Sequence, residues 1–575
     1  DSPRPASQRA AALVLTAALL TGAAFPAFAD TYYIEDGDIT ISAGENGNDV
    51  TQNETTTKND TDTVITNRHK DTASSNTVTI EAKDEDDKVE VTLKDVNIDA
   101  SRGSEAAVSV TGKGDTNIEL DGDNELKSGA GHAGLEHNKT DTSGELTIQD
   151  KDNNGSLEAA GGFKGAGIGS AGSNDAQVKI TGGNITATSD DWGAGIGSGS
   201  YGTGTVEITG GEINATGGYL GAGIGGGCNG SGNVTISGGT ITAAGSDGAA
   251  GIGGGYYNGA TVTITGDAVI KNTSSTKYGA GIGGGNGSDG NVTISGNAKI
   301  ENATGGYGAA GIGGGAFSSP DKIGNGNVVI KDNAKIDNVQ GGAYGAGIGG
   351  GIFGLSNVTI EGNTKVNATG GAGGAAIGGG AGAENNSDNN GNQITIKSNE
   401  NGSPTINAVG GGTDEGEEIV IGGAGIGAGC ESDADADITL EGKVTITATA
   451  GKDNVAIGAN GIEQEFSGLA EGSSITRYGS EGNDITLPTD PVPAVPSSSG
   501  GGSAGASVQE SVFPGLIVTD KDGQRISYTS IRGNNVLSLR VGRFTASLHA
   551  SLSTLRQLRA EGIDTITFQT ILCST

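Results

Sequence analysis

One phrase recurs along most of this chain and limits what it can fold into. "GAGIGGG", whole or in variants, places an isoleucine at Ile168, Ile196, Ile224, Ile252, Ile282, Ile312, Ile348, Ile377, Ile426 and Ile457. Successive spacings are 28, 28, 28, 30, 30, 36, 29, 49 and 31 residues. A decayed copy, "GHAGLEH", sets Leu135 another 33 residues upstream. A fixed period of this size marks a supersecondary unit that buries its apolar side only against its neighbours. Gly221, Gly223 and Gly226 also fit G-x-G-x-x-G, which invites a phosphate-loop reading. A dinucleotide loop needs a helix behind it, however, and here turns and Thr-rich strands follow the phrase each time. The phrase is a building element.

Each unit has the same internal order, as in "GNVTISGGTITAAGSDGAAGIGGG" from Gly232 to Gly255. Val234 and Ile236 alternate with Thr235, which is the period of a strand. After a Gly-Gly turn, Ile241 and Ala243 alternate with Thr242 and Ala244, and a further turn leads into Ala-Gly-Ile-Gly. Three short strands per unit leave every edge unpaired unless units stack at roughly 4.8 Å. The sequence therefore predicts an all-β fold, a right-handed parallel β-helix of about 28–30 residues per rung. Counting the phrases gives about eleven rungs. Val, Ile and Ala ladders fill the interior, and Thr, Asn, Ser and the charges face water.

Composition agrees with a narrow stacked core. Glycine supplies 110 of 575 residues, hydrophobic residues 33% and aromatics 4%, too few for a large globular interior. Ten prolines and no strict every-third glycine exclude collagen. The net charge of −35 argues against a nucleic-acid partner, whose phosphates call for a basic face. Acidic turns suit calcium, the one ion expected if any is held.

The N-terminus has the order of a secretion signal: Arg4 and Arg9, an apolar run from Ala10 to Ala24, then Ala27 and Ala29 in an A-x-A pattern before Asp30. Residues 1–29 are read as that signal, and the protein as extracellular or surface-displayed. No later stretch is apolar enough to span a bilayer, so a membrane contact would come only through an anchor beyond the given chain. "LPTDP" at Leu487–Pro491 approaches a sortase signal but lacks its glycine.

Residues 30–130 are read as β-rich but irregular first rungs and a cap, with a polar, mobile stretch near 44–75. The regular array covers 131–487. Residues 488–507 form a Pro/Gly/Ser linker. Residues 508–575 form a small α+β module, expected to be truncated, in which Leu548, Leu552, Leu555 and Leu558 are spaced as a helical stripe before the strand "IDTITF".

Eleven aromatics lie between residues 160 and 360, each four or five residues from a repeat isoleucine. Phe163, Trp192, Tyr219, Tyr278, Tyr307 and Tyr344 precede it. Tyr201, Tyr256, Tyr257, Phe317 and Phe353 follow it. Equal offset in a solenoid means vertical alignment, so two stripes are expected. Aromatic faces stack on the C–H faces of sugars, and a linear stripe suits an extended glycan. The plainer reading is that these rings only cover glycine-rich corners.

Other candidates are weaker. His132, Glu136 and His137 have one residue too many for the inverted zinc-peptidase motif, and no helix to share. Asp/Asn runs at Lys83–Lys88, Asp121–Asn124 and Ser432–Asp437 offer clustered oxygens, but solvated turns explain them equally. Thr235, Thr263, Thr293, Thr359 and Thr395 make an outward ladder, broken by a charge only at Glu207, which gives a catalyst few carboxylates to use. Cys228 and Cys430 share a rung position at least six rungs apart, far beyond disulfide reach.

The segment "VEVTLKDVNIDASRGSEAAVSVTGKGDTNIELDGDNELKSG" (Val89–Gly129), leading into "LTIQDKDNNGSLEAAGG", resembles the polysaccharide-binding β-helix proteins of clostridial cell surfaces. Those share the pectate-lyase fold yet act as carbohydrate binders. The Gly-Ala-Gly-Ile-Gly array is similar to long repeats in secreted proteins of gut Gram-positive bacteria. The resemblance covers roughly residues 75–460 and carries over no individual residue. It implies a non-catalytic, adhesin-like binder of polysaccharide or host glycan, expected to be a monomer that needs no cofactor. A β-helix polysaccharide lyase or hydrolase is the alternative, with its site before residue 160 or near 381–418. A purely structural stalk is the third reading.

Overall fold

The structure is a computed structural model. It describes residues 30–316, 318–319, 322–385, 391–412 and 421–491, and short pieces between 516 and 569.

The chain winds into a parallel β-helix of about 14 coils. Coils exceed the phrase count because strands Thr31–Tyr33, Thr63–Thr66 and Lys88–Lys94 already stack in register before the phrase begins. At about 4.8 Å per coil the rod is roughly 60–70 Å long. Three sheets run its length. In one coil the first sheet takes Gly232–Ile236, the second Thr240–Gly245 and the third only Ile252–Gly253. Register is strict: Val206, Val234, Val262 and Val292 lie over one another. Ile196, Ile224, Ile252, Ile282, Ile312, Ile348, Ile377, Ile426 and Ile457 do the same. These isoleucines are fully buried, each contributing on the order of 1.5–3 kcal/mol of hydrophobic stabilisation.

Why the third strand has only two residues follows from its glycine. Gly225 has φ +131°, and a Cβ there would lie 2.1 Å from the carbonyl oxygen of Gly253 in the next coil. Neither the angle nor the contact admits a side chain. Longer spacings leave the isoleucine column in register. The 36-residue interval adds the loop after Ala316, and the 49-residue interval adds residues around 381–391 and 410–422.

The N-terminal end is closed by an antiparallel meander. Ile39–Ala43 pairs with Asn48–Gln52, which pairs with Thr55–Asp60. The polar stretch near 44–75 thus carries three strands, Asn48–Gln52, Thr55–Asp60 and Thr63–Thr66. Its sequence hid this because Thr55–Asp60, exposed at most positions, has no inward face to alternate.

The other end is closed by charge. Arg477, wholly buried, donates to Asp490 through Nε at 2.7 Å and Nη2 at 2.9 Å. It also reaches Glu463 at 2.6 Å and the Gln464 carbonyl at 2.7 Å. Ile475 N–H donates to the Pro491 carbonyl, so the "LPTDP" segment packs on the last coil.

In the C-terminal module, Leu516–Thr519 pairs with Ser547–Ala550, and Val536–Arg540 lies between Thr529–Gly533 and Thr565–Gln569. Leu548 is thus on a strand, while residues 555 and 558–559 are helical. The leucine spacing satisfied a helical period across a strand boundary. Leu537, Leu539, Leu558 and Ile563 form the module's own core.

Candidate functional site

Each Ile-Gly strand is flanked by two corners where the backbone turns left-handed. Four residues before the isoleucine, Gly248, Gly308 and Gly373 have φ of +94°, +76° and +78°. Five residues after it, Gly287 and Gly382 have +65° and +69°. In other coils the same positions carry aromatics that accept the same angles. Trp192 (+64°), Tyr278 (+25°) and Tyr344 (+73°) lie before the strand, and Tyr201 (+66°), Tyr257 (+62°) and Phe353 (+61°) after it. A left-handed residue with a Cβ costs about 1–2 kcal/mol. Lys164, Leu220, Asp453, Ser173, Asn229 and Glu431 hold the same angle at the same offsets, so the left-handed turn belongs to the corner, and six of the corners place a ring on it.

Phe163, Tyr201, Tyr219, Tyr278, Tyr307 and Phe353 are exposed, and Trp192, Tyr256, Tyr257 and Tyr344 are half-buried. Tyr201 is 58%, Tyr219 52% and Tyr307 51% exposed. Phe163 meets Trp192 at 5.3 Å between centroids, tilted 42°. Tyr307 makes edge contacts with Tyr278 at 6.3 Å and Tyr344 at 5.5 Å. Tyr219 stands between the two groups and has no ring pair among the described residues. Tyr256 and Tyr257, adjacent in sequence, have centroids 3.8 Å apart and hydroxyls 2.7 Å apart. Burial, then the bond to Tyr257, pushes the Tyr256 hydroxyl up to about 12.

The two stripes expected from the offsets are one surface. The residue four past each isoleucine donates its N–H to the carbonyl of a left-handed corner one coil earlier. Cys228 bonds Trp192 at 2.7 Å, Tyr256 bonds Leu220 at 3.1 Å, and Ala381 bonds Tyr344 at 2.8 Å. Tyr256 covers the glycine corner of its own coil, since a Cβ on Gly248 would sit 2.5 Å from its ring. Phe353 covers Gly382 in the same way, at 2.6 Å. From Phe163 to Phe353 the rings span seven coils, roughly 30 Å along the rod. Phe317 lies outside the described residues.

Cations sit among the rings in a strongly acidic chain. Lys164 Nζ is 5.3 Å from the Phe163 centroid and 5.2 Å from that of Trp192. Lys322 Nζ lies 4.1 Å over Tyr257. Lys277 is paired with Asp247 at 2.9 Å. Asp191, beside Trp192, has a buried Oδ1 with no hydrogen-bond partner, and burial followed by neighbouring Asp190 pushes its carboxyl up. Sequence offsets located the rings but missed Lys322, which a loop insertion brings in, and the left-handed geometry. A partial signal for the latter was present: glycine takes these offsets at Gly248, Gly308, Gly373, Gly287 and Gly382, although Lys164, Leu220, Ser173 and Asn229 take them elsewhere.

The other candidates have local partners of their own. His132 Nδ1 lies 2.8 Å from the buried Glu136 carboxylate, which also accepts from Ala133 N–H and Asn138 Nδ2. His137, 2% exposed, is held by the Gln177 carbonyl instead, so the two imidazoles have separate partners. Asp121 pairs with Lys94 at 2.7 Å, and Asp87 accepts from Asp84 N–H. No cluster of three or more metal-ligating side chains occurs among the described residues. Glu207 shares Lys179 with Glu145. Cys228 and Cys430 are buried free thiols, each pushed up to about 11 by burial, with a smaller contribution from Asp191 and Glu431 respectively. Cys573 lies outside the described residues.

Fold and repeat together define a parallel β-helix protein. A family model described as a beta helix repeat matches residues 178–200, 206–228, 234–256 and 292–316. Each matched segment runs from a first-sheet strand through the Ile-Gly strand to the corner beyond it. No curated protein and no solved structure matches the chain. No described helix is long and apolar enough to cross a membrane.

Proposed function

We propose that this is a secreted or surface-displayed glycan-binding β-helix without chemistry of its own, and that its ligand lies along the aromatic corner. The observation that carries this reading is the set of six rings in left-handed positions, on one face with Phe163, Tyr219, Tyr256 and Tyr307. Exposed rings at coil spacing offer an extended polysaccharide or host glycan successive stacking surfaces. Lysines over rings and tyrosine hydroxyls add polar contacts at the edges.

The test is retention on insoluble polysaccharides, with calcium or a chelator, of the chain beginning at Asp30. Replacing Trp192, Tyr219 and Tyr278 by Ala should abolish retention while the folded stack persists. Undiminished retention would remove the aromatic corner from the binding. No retention on any polymer or displayed glycan would make the rod a spacer.

The catalytic reading rests on His132, whose ring a buried carboxylate orients one coil before Phe163, as a base is held. It requires that the protein shorten a soluble polymer and that His132→Gln stop it.

A further inference from the structure

Asp60 is a buried carboxylate without a counter-charge. It is 1% exposed, and Thr63 Oγ1 donates to its Oδ2 at 2.8 Å and Asp62 N–H to its Oδ1 at 3.2 Å. Thr63 Oγ1 in turn accepts from Asn48 Nδ2 at 2.9 Å. Among the described residues no Lys, Arg or His lies within ion-pair distance of Asp60. Its titratable neighbours, Tyr32 and the Asp30 carboxyl, supply no positive charge. A buried carboxylate satisfied by dipoles alone is costly, and an adjacent cation offsets much of that cost.

The remaining donor to Asp60 Oδ1 is the main-chain nitrogen of Asp30, at 3.4 Å. Asp30 immediately follows the Ala27-x-Ala29 pattern. Its carbonyl accepts from Val64 N–H at 3.2 Å, and Thr31–Tyr33 then pairs with Val64–Thr66. The sequence thus marks one peptide bond as a processing site, and the fold independently places an unneutralised carboxylate at the amine that cutting would create.

We propose that cleavage between Ala29 and Asp30 makes the Asp30 α-ammonium the missing counter-ion of Asp60, locking the first coil only in the processed protein. Water adds across the Ala29–Asp30 bond under a leader-type endopeptidase. The carboxylate leaves on Ala29, and the amine stays on Asp30 and takes a proton. A free α-amine titrates near 7.7–8.0, so at neutral pH it is largely charged, and a facing carboxylate favours that form further. One neutral N–H donor becomes a cation with three. In the precursor the same nitrogen is an amide, and the first coil lacks the ion pair. The inference is independent of any ligand on the aromatic corner.

The experiment compares three forms of the otherwise full chain: one beginning at Asp30, one beginning at Ala29, and one beginning at acetylated Asp30. Each is made with Asp60 and with Asp60→Asn. Hydrogen exchange at Thr31–Tyr33 and Thr63–Thr66 is the readout. Extension and acetylation should each cost about tenfold or more in protection of these strands when Asp60 is present, and little when it is Asn. The acetylated form separates charge from length, and it decides alone if Asp60→Asn does not fold. Equal protection in all three Asp60 forms, or the same loss on the Asn background, would overturn the pairing. Intact mass of the exported protein should begin at Asp30, and any other N-terminus would overturn the assignment of the bond.

Discussion

Asp490 holds Arg477 through two parallel hydrogen bonds of 2.7 and 2.9 Å, and both side chains are fully buried. Removing Asp490 takes away the bidentate partner and leaves Glu463 as the remaining carboxylate on a wholly buried Arg477, at a cost of about 1–3 kcal/mol for the donors left unsatisfied. Asp490→Ala should therefore open the last coils well before the middle of the rod. Proteolysis or hydrogen exchange at Ser474–Tyr478 is the measurement. Joint replacement of Arg477 and Asp490 by apolar residues should recover much of the loss.

A second prediction separates strain from function at the corners. Trp192→Gly, Tyr278→Gly and Tyr344→Gly each remove a Cβ from a left-handed residue, relieving about 1–2 kcal/mol, less the stabilisation that ring-to-ring packing supplied. Chemical unfolding should find the glycine variants as stable as the parent, or more so, and the corresponding alanine variants less stable than the glycine ones. Retention on polysaccharide should fall in both series.

Stacking itself can be tested at Gly225. An alanine there meets the wrong φ and the Gly253 carbonyl at 2.1 Å. Gly225→Ala should cost about 3 kcal/mol or more and open the stack near Ile224. Gly103→Ala is the control, its nearest neighbour being 3.5 Å away at an ordinary φ. It should leave the unfolding midpoint unchanged.

Acid should act on the first coils through His137. Burial pulls its imidazole below the ordinary 6.5, with the Gln177 carbonyl opposing it and the Lys139 charge adding to it. The folded state therefore resists a proton that the unfolded chain accepts near 6.5. Stability from this group is complete above that pH and falls as pH drops below it toward the lowered folded value. A substitution of His137 by Gln should flatten this part of the stability–pH curve, read by unfolding between pH 7 and 5.

The core was legible because it is periodic: Ile224 and Val234 announce their columns by spacing alone. The corner rings were legible in position for the same reason. Their left-handed backbone could be seen only by comparing coils, where Gly248 and Gly308 stand at the offset of Tyr278 and Tyr344. Arg477 stands once, in the column that alanine fills at Ala408 and Ala448, and twelve residues of unpatterned chain separate it from Asp490. Nothing in periodicity could pair them. Leu548 misled for the converse reason, since four leucines matched a helical period by accident of spacing.

The two ends of the rod are closed by different means, a hydrogen-bonded meander at one and a buried ion network at the other. Between them each coil touches only the coil above and the coil below, so in the unaltered chain opening is cheapest at an end, where a coil has one neighbour to lose instead of two. The survival time of the whole molecule is then set by whichever end seal fails first, and adding coils to the middle would lengthen the rod without shortening its life.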